Sequence, residues 1–323
     1  MMTVMQGRPG LVSLPLGLLA ALVRLLDKLG QSTRVVGWMA ALMNSPRVKR
    51  IAFSGYTPTA SDVIVATYAK SGTNWAMQIA LQVAYYGDAE FDFIHDLVPW
   101  PDAPLPLIRA KLSDPTLAES APSGLRVIKT HWDRQFVPYS PEAKYIVVVR
   151  DPKEVFVSGY FFAKSMFGSV ADFKYSGNDW LDLFLSDRYV FGSWAAHTAS
   201  WWSYRDSDNV LVITYNELKR NPRAIIQRIA SLMQVTLTEE QREKVVEKSS
   251  FGYMRTHEDR FVPPLRVFGG RQNLMFRRGE AGASEELIDT EQQARIDRYA
   301  LSELRRLGSD FPYTAVFATS NLD

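Results

Sequence analysis

The sequence predicts an α/β protein: a single doubly wound domain in which helices flank a central parallel sheet. Short, nearly continuous runs of β-formers recur along the chain, the pattern of strands buried on both faces of a parallel sheet. Longer helical patterns separate these runs, and strands alternating with helices build crossover units rather than hairpins. No internal repeat, low-complexity tract or long linker interrupts the series.

The elements follow in order. Leu11 to Val23 (LVSLPLGLLAALV) is largely apolar and follows Arg8. It is shorter than the roughly 20 residues that a membrane span needs, and Pro15 with Gly17 weakens its start. A signal peptide would end in a small-residue cleavage site, whereas Arg24, Asp27 and Lys28 follow here. From Leu14 to Met43 the pattern suits one or two amphipathic helices, interrupted near Gly30. They are expected to form an N-terminal helical extension (residues 1–50) packed on the main domain (residues 51–323). Peripheral docking on a membrane surface is the alternative.

The first strong strand is Asp62 to Tyr68 (DVIVATY), bounded upstream by Pro58. Leu125 to Thr130 (LRVIKT), Lys144 to Val149 (KYIVVV) and Val210 to Thr214 (VLVIT) make the second, third and fourth. Helical patterns cover Thr73 to Tyr86, Pro152 to Lys164 and Pro222 to Met233. Pro152 and Pro222 sit where a first helical turn accepts proline, each just after a capping residue, Asp151 or Asn221. Ligands of such sheets bind at the carboxyl ends of the strands, so the strand-to-helix junctions are the places to look.

Composition narrows the chemistry. With 323 residues, 46% hydrophobic and 22% charged, the chain can bury a core that needs no stapling. It has no cysteine, which excludes disulfides and thiolate zinc sites and fits a reducing, cytoplasmic compartment. A formal net charge of +2 argues against a broad nucleic-acid footprint, so local Arg and Lys must carry any anion binding.

The first strand runs into Ala69-Lys70-Ser71-Gly72-Thr73-Asn74-Trp75, and a helix follows at once. Gly72 lets the backbone approach an anion, and the helix start offers unpaired N–H groups. Ser71, Thr73 and Asn74 add short donors, and Lys70 adds charge, which together make a P-loop-like phosphate cradle. It is not a Walker A loop, because the lysine precedes the glycine. Taken alone, the junction also suits an ordinary strand–turn–helix with a solvated lysine.

The second strand ends in Lys129-Thr130-His131-Trp132. A neutral imidazole there can take the proton of a hydroxyl nucleophile, although a lone histidine is more often structural. The third strand ends in Arg150-Asp151-Pro152, and the following helix carries Ser158 two turns in. Arg150 suits a bidentate phosphate contact; a simple Arg–Asp pair near the helix start is the competing reading. Phe276-Arg277-Arg278-Gly279 adds a basic loop, or a solvated basic turn. Anion-suited junctions repeated on one sheet point to a ligand with more than one phosphate-like group.

At this point the residues resemble the cytosolic sulfotransferase family, which uses 3′-phosphoadenosine 5′-phosphosulfate (PAPS). TYAKSGTNW (Thr67 to Trp75) is similar to its 5′-phosphosulfate loop, KTHW (Lys129 to Trp132) to its catalytic-histidine segment, and VVVRDPKEVFVSGYFF (Val147 to Phe162) to its 3′-phosphate motif. Gly192 to Trp202, Val210 to Pro222, SSFGYM (Ser249 to Met254) and FRRGEAG (Phe276 to Gly282) continue the match in the family's order. The resemblance runs from about Tyr56 to Pro312.

The resemblance implies roles. His131 would be the general base, Lys70 would stabilise charge on the bridging oxygen, and Lys129 would help at the sulfuryl oxygens. Ser71, Gly72, Thr73 and Asn74 would hold the 5′-phosphate. Trp75, Tyr215, Ser249 and Phe251 would bind adenine, and Arg150, Ser158, Arg277, Arg278 and Gly279 the 3′-phosphate. The product would be adenosine 3′,5′-bisphosphate (PAP). No metal is required, since Lys70 and the helix N-terminus can neutralise the leaving nucleotide.

Some positions depart from the family. Ala69 replaces its usual proline and Asn74 an often-found threonine, while Ala283-Ser284-Glu285 replaces Asp-Trp-Lys in the lid. The family's short dimerisation signature is not evident, so no oligomer is inferred. The acceptor is expected to be a small lipophilic alcohol or phenol, with Phe162, Trp100 and Phe93 as pocket residues. Core packing is the alternative for each, and only Phe162 gains from the resemblance. Competing functions are a P-loop-type kinase using magnesium–ATP, a non-catalytic nucleotide-binding protein on the same fold, and a glycan-sulfating enzyme of the secretory pathway. The first would need a Walker A loop, the second would need neither Lys70 nor His131, and the third usually carries an anchor and cysteines.

Overall fold

The computed structural model of the chain describes residues 44–103, 112–167, 176–186, 188–262, 276 and 287–317, and residues 25, 28, 29 and 37 besides. Almost all of the expected N-terminal helical pattern, the loop residues Arg277, Arg278 and Gly279, and the segment 283–285 lie outside the described residues.

Helix α1 (Pro46–Ile51) precedes strand β1 (Asp62–Thr67), which leads into α2 (Thr73–Ala84). A short α3 (Thr116–Ser120) comes before β2 (Arg126–Thr130), and β3 (Lys144–Val149) leads into α4 (Pro152–Phe167). Helices α5 (Gly177–Phe184) and α6 (Trp194–Trp202) follow, then β4 (Val210–Thr214), α7 (Tyr215–Arg220) and α8 (Pro222–Leu232). Beyond them lie α9 (Glu239–Lys248), α10 (Phe251–Thr256), α11 (Thr290–Arg306) and α12 (Tyr313–Phe317). The four expected strands and the three expected helices are all present, with ends shifted by no more than a turn. The capping pattern holds too: Asn221 accepts from Ala224 N–H at 3.2 Å, and Asp151 from Lys153 N–H at 2.9 Å. Each such cap contributes about 1 kcal/mol.

The strands lie in the order β2-β1-β3-β4, all parallel. Alternate residues of each strand enter opposite layers, as period-2 geometry demands. Val63 and Val65 of β1 pack with Ile79, Ala80 and Val83 of α2 and Ile226 and Ile229 of α8. Ile64 and Ala66 pack in the other layer, with Phe156 of α4, Trp180 of α5, Trp201 of α6 and Ile296 of α11. This is the doubly wound architecture with helices on both faces.

The order also fixes where a ligand belongs. From β1 the chain crosses to β2 on one side, whereas β3 and β4 lie on the other, so the switch point falls at the carboxyl ends of β1 and β3. Register keeps these ends level: Ala66 pairs with Thr130, and Thr67 with Val148. Residues just beyond the strands therefore emerge together, which brings the loop at 68–73, His131 and Arg150 to one edge.

Candidate active site

The cradle is built by an unusual backbone. Lys70 has φ +67° and Gly72 φ +92°, and Ser71 N–H donates to Tyr68 O at 3.1 Å. Left-handed geometry costs a non-glycine residue about 1–2 kcal/mol, so the fold holds Lys70 in a conformation it would not choose. At Gly72 a side chain is excluded outright: a Cβ there would lie 2.8 Å from Cδ2 of Tyr215. Gly72 also precedes α2 without any side-chain cap, so the first N–H groups of α2 keep their capacity for an anion. The buried Ser71 Oγ and Trp75 Nε1 have no hydrogen-bond partner among the described residues. The hydroxyls of Thr67 and Thr73 lie 2.5 Å apart and close the loop, while Asn74 sits half-buried in the first turn of α2.

Arg150 ties the third strand to this loop. Its Nη1 donates to Lys70 O at 2.9 Å, its Nε donates to Glu154 at 2.9 Å, and its guanidinium lies 4.3 Å over the Tyr215 ring. The competing Arg150–Asp151 pair is not what forms: Asp151 pairs with Lys153 at 3.1 Å, and Glu154, one turn into α4, takes Arg150. Continuing at the same four-residue spacing are Ser158, half-buried, and Phe162. Phe162 meets Lys70, whose Nζ lies 4.1 Å over the ring. Burial, and then the charge of Arg150, push the Lys70 ammonium down to about 7, with Glu258 opposing. A half-buried lysine with no ion pair among the described residues is suited to receive an anion.

His131 is oriented from two sides. Its Nδ1 lies 2.8 Å from Thr67 O, so the ring carries its proton on Nδ1 and leaves Nε2 as the acceptor. Its backbone N–H donates to Asp102 Oδ2 at 2.8 Å, and the neighbouring Lys129 N–H donates to Pro99 O at 2.9 Å. A strap at 99–102 thus runs along the end of β2. Burial, and then Lys129, push the His131 imidazole well below its ordinary range, so it is neutral near pH 7. Burial also lowers the Lys129 ammonium, opposed by Asp102.

Of the three aromatics expected to line a pocket, Phe162 meets Lys70, while Trp100 and Phe93 lie on the side of His131 and His95. Trp100 stands edge-on to His131 at 5.7 Å, and Lys129 Nζ lies 3.3 Å over its ring. His95 stacks on Trp100 at 5.1 Å, and Phe93 meets His95 edge-on at 5.2 Å. Asp102 and His95 were not legible as site residues, since neither lies in a patterned segment. Glu154 left a readable signal, its i,i+4 spacing from Arg150.

Three of the residues expected on the adenine side, Trp75, Tyr215 and Phe251, share one layer of the core. Trp75 meets Tyr215 edge-on at 5.8 Å, and Phe251 packs against that layer and against Phe276 at 6.4 Å. Ser249 is buried and donates to Val245 O at 2.6 Å. Gln78 of α2 donates to Lys248 O at 3.0 Å, which fastens α2 beside Ser249. Phe276 N–H donates to Glu258 at 3.0 Å, which ties Phe276 to the segment just after α10. Among the described residues, no group of three or more His, Asp or Glu side chains is placed to share a metal ion, and no helix is long and apolar enough to cross a membrane.

The chain is similar to known sulfotransferases in sequence and in fold. A family profile of the sulfotransferase domain matches residues 60–308, well over half of the chain. Mouse sulfotransferase 1B1 is 34% identical over 206 residues, covering 62% of this chain and 67% of its own. Sulfotransferase 2A1 of Macaca fascicularis is 28% identical over 257 residues, covering 78% and 87%. Among solved structures, mouse sulfotransferase SULT7A1 complexed with PAP superposes with a TM-score of 0.61 at 22% identity, over 81% of this chain and 90% of that one. Retinol dehydratase in a complex with retinol and PAP gives 0.66 at 20% identity, over 83% and 88%.

Proposed function

The chain belongs to the sulfotransferase domain family, and on that premise we propose that it transfers a sulfuryl group from PAPS to the hydroxyl of a small acceptor. The observation that carries this reading is the bond from His131 Nδ1 to Thr67 O, 2.8 Å long. It leaves Nε2 free to accept a proton beside the loop that begins one residue after Thr67. The chemistry is an in-line displacement: the acceptor oxygen bonds to sulfur, the bond from sulfur to the bridging oxygen breaks, and the hydroxyl proton passes to His131 Nε2.

The chain's own residues supply the charge. Lys70 faces the bridging oxygen as negative charge grows there, and Lys129 faces the sulfuryl oxygens; both are worth most in a water-poor site. Ser71, Gly72, Thr73 and Asn74, with the start of α2, hold the 5′-phosphate. Arg150 and Ser158, joined by Arg277, Arg278 and Gly279, hold the 3′-phosphate. Trp75, Tyr215, Ser249 and Phe251 hold the base. A kinase using magnesium–ATP is not favoured, because the lysine of the cradle precedes its glycine.

The acceptor in this reading is a lipophilic alcohol or phenol. Trp100 lies beside Lys129 and His131, Phe162 beside Lys70, and Phe93 beside His95, rings that suit an aromatic or alicyclic body more than a free sugar. The guinea-pig relative named a 3-beta-hydroxysteroid sulfotransferase, 29% identical, is consistent with this class. Incubation with sulfur-35-labelled PAPS and a panel of a phenol, a hydroxysteroid and glucose tests it. Label on the phenol or steroid is expected; label on glucose alone would overturn the acceptor class.

A further inference from the structure

We propose that α1, ahead of the family-matched region, is a clamp on the catalytic histidine, with Lys49 as its positioning residue. The proposal rests on His131 being the base. Four successive residues after β2 are each gripped from outside the segment, two of them by α6. His131 N–H goes to Asp102, Trp132 O accepts from Trp201 Nε1 at 3.1 Å, and Arg134 N–H goes to Ser200 Oγ at 3.0 Å. The remaining grip is ionic: Asp133 Oδ2 lies 3.2 Å from Lys49 Nζ.

Among the described residues, the ion pair of Lys49 is with Asp133. The lysine is only 7% exposed, and its ammonium lies 5.0 Å from the Trp132 ring and 5.1 Å from that of Phe136. The same segment is pinned nearby, where Asn44 Nδ2 donates to Val190 O at 3.0 Å and to Tyr189 O at 3.3 Å. Tyr68, just after β1, donates to Gly192 O at 2.7 Å, so the pinned 189–192 stretch also touches the root of the cradle. A buried ion pair is a weak source of stability but a sharp positional constraint, because removing one partner strands the other charge. Without Lys49, Asp133 would move toward water and carry the backbone at His131 with it. The ring would then leave Thr67 O, and Nε2 would lose its aim.

The test uses the full-length protein with Lys49→Met, Asp133→Asn and the double variant. Lys49→Met should lower kcat about 10–100-fold at saturating donor, the scale of a small misplacement of a reacting group. Its Kd for PAP should stay within about threefold, because no donor contact changes. The double variant leaves no stranded charge and should recover most of kcat, and Lys49→Arg should stay close to wild type. Wild-type kcat in Lys49→Met, or equal losses of kcat and PAP affinity, would overturn the clamp. Nitrogen-15 NMR of the histidine rings separates this from the functional reading. A shifted His131 Nδ1–H signal in Lys49→Met supports the clamp even if no acceptor is sulfated, and an unchanged signal refutes it.

Discussion

The ring of His131 rests on the carbonyl of Thr67, the final residue of β1, at 2.8 Å. The same strand therefore orients the proposed base through its last carbonyl and, within the next six residues, turns into the proposed anion cradle at Lys70 to Thr73. Base and cradle cannot drift apart without unpairing β1 from β2, since Ala66 and Thr130 are register partners. In the proposed reaction, catalysis depends on that fixed separation, as effective molarity requires.

Replacing His131 by alanine should lower turnover about 10²–10⁴-fold, the usual scale for a general base. PAP affinity should change little. Steady-state kinetics with calorimetry checks both; unchanged turnover would remove His131 from the chemistry.

Binding of PAP should take up protons above neutral pH. Burial, and then Arg150, hold the Lys70 ammonium of the unliganded protein at about 7, with Glu258 opposing. Lys129 is lowered by burial and by Lys70, with Asp102 opposing. A lowered lysine is charged below that pH and neutral above it, and an anion favours the charged form. Affinity should therefore fall as pH rises from 7 to 9, by up to about tenfold per pH unit for each lysine that must be charged. Calorimetry at pH 8 in two buffers of different ionisation enthalpy reads the uptake directly, and identical heats would contradict it.

Gly72→Ala should damage the cradle twice over. The substitution meets φ +92° and a Cβ position 2.8 Å from the Tyr215 ring. Left-handed backbone alone costs about 1–2 kcal/mol, so PAP should bind about tenfold or more weaker. Wild-type affinity would mean that the loop has another conformation.

Asp102 offers a graded test. Alanine there strands the part-buried His131 N–H, at a cost of about 1–3 kcal/mol, while asparagine can still accept that bond. Asp102→Ala should lose about tenfold or more in kcat and Asp102→Asn clearly less. Equal losses in the two variants would show that the carboxylate charge, not the bond to His131, is what matters.

Much of this fold was legible because its signals are local. DVIVAT and KYIVVV read as buried strands, and Asn221-Pro222 as a helix start, without any tertiary knowledge. The cradle was legible for the same reason, since Lys70 to Thr73 are contiguous. What was hidden depends on contacts far apart in sequence: Asp102 with His131, 29 residues apart, and Lys49 with Asp133, 84 apart. Neither leaves a periodicity or a motif. The partner of Arg150 lies between these cases, for Asp151 is adjacent, but one turn of helix delivers Glu154 instead.

The most direct test of the central claim is a calorimetric titration with PAP, set against ATP with magnesium. Tight PAP binding that survives chelation of metal and weakens in Arg150→Ala is the result expected of a PAPS-dependent sulfotransferase. Preference for magnesium–ATP, with PAP unbound, would contradict the account at its root.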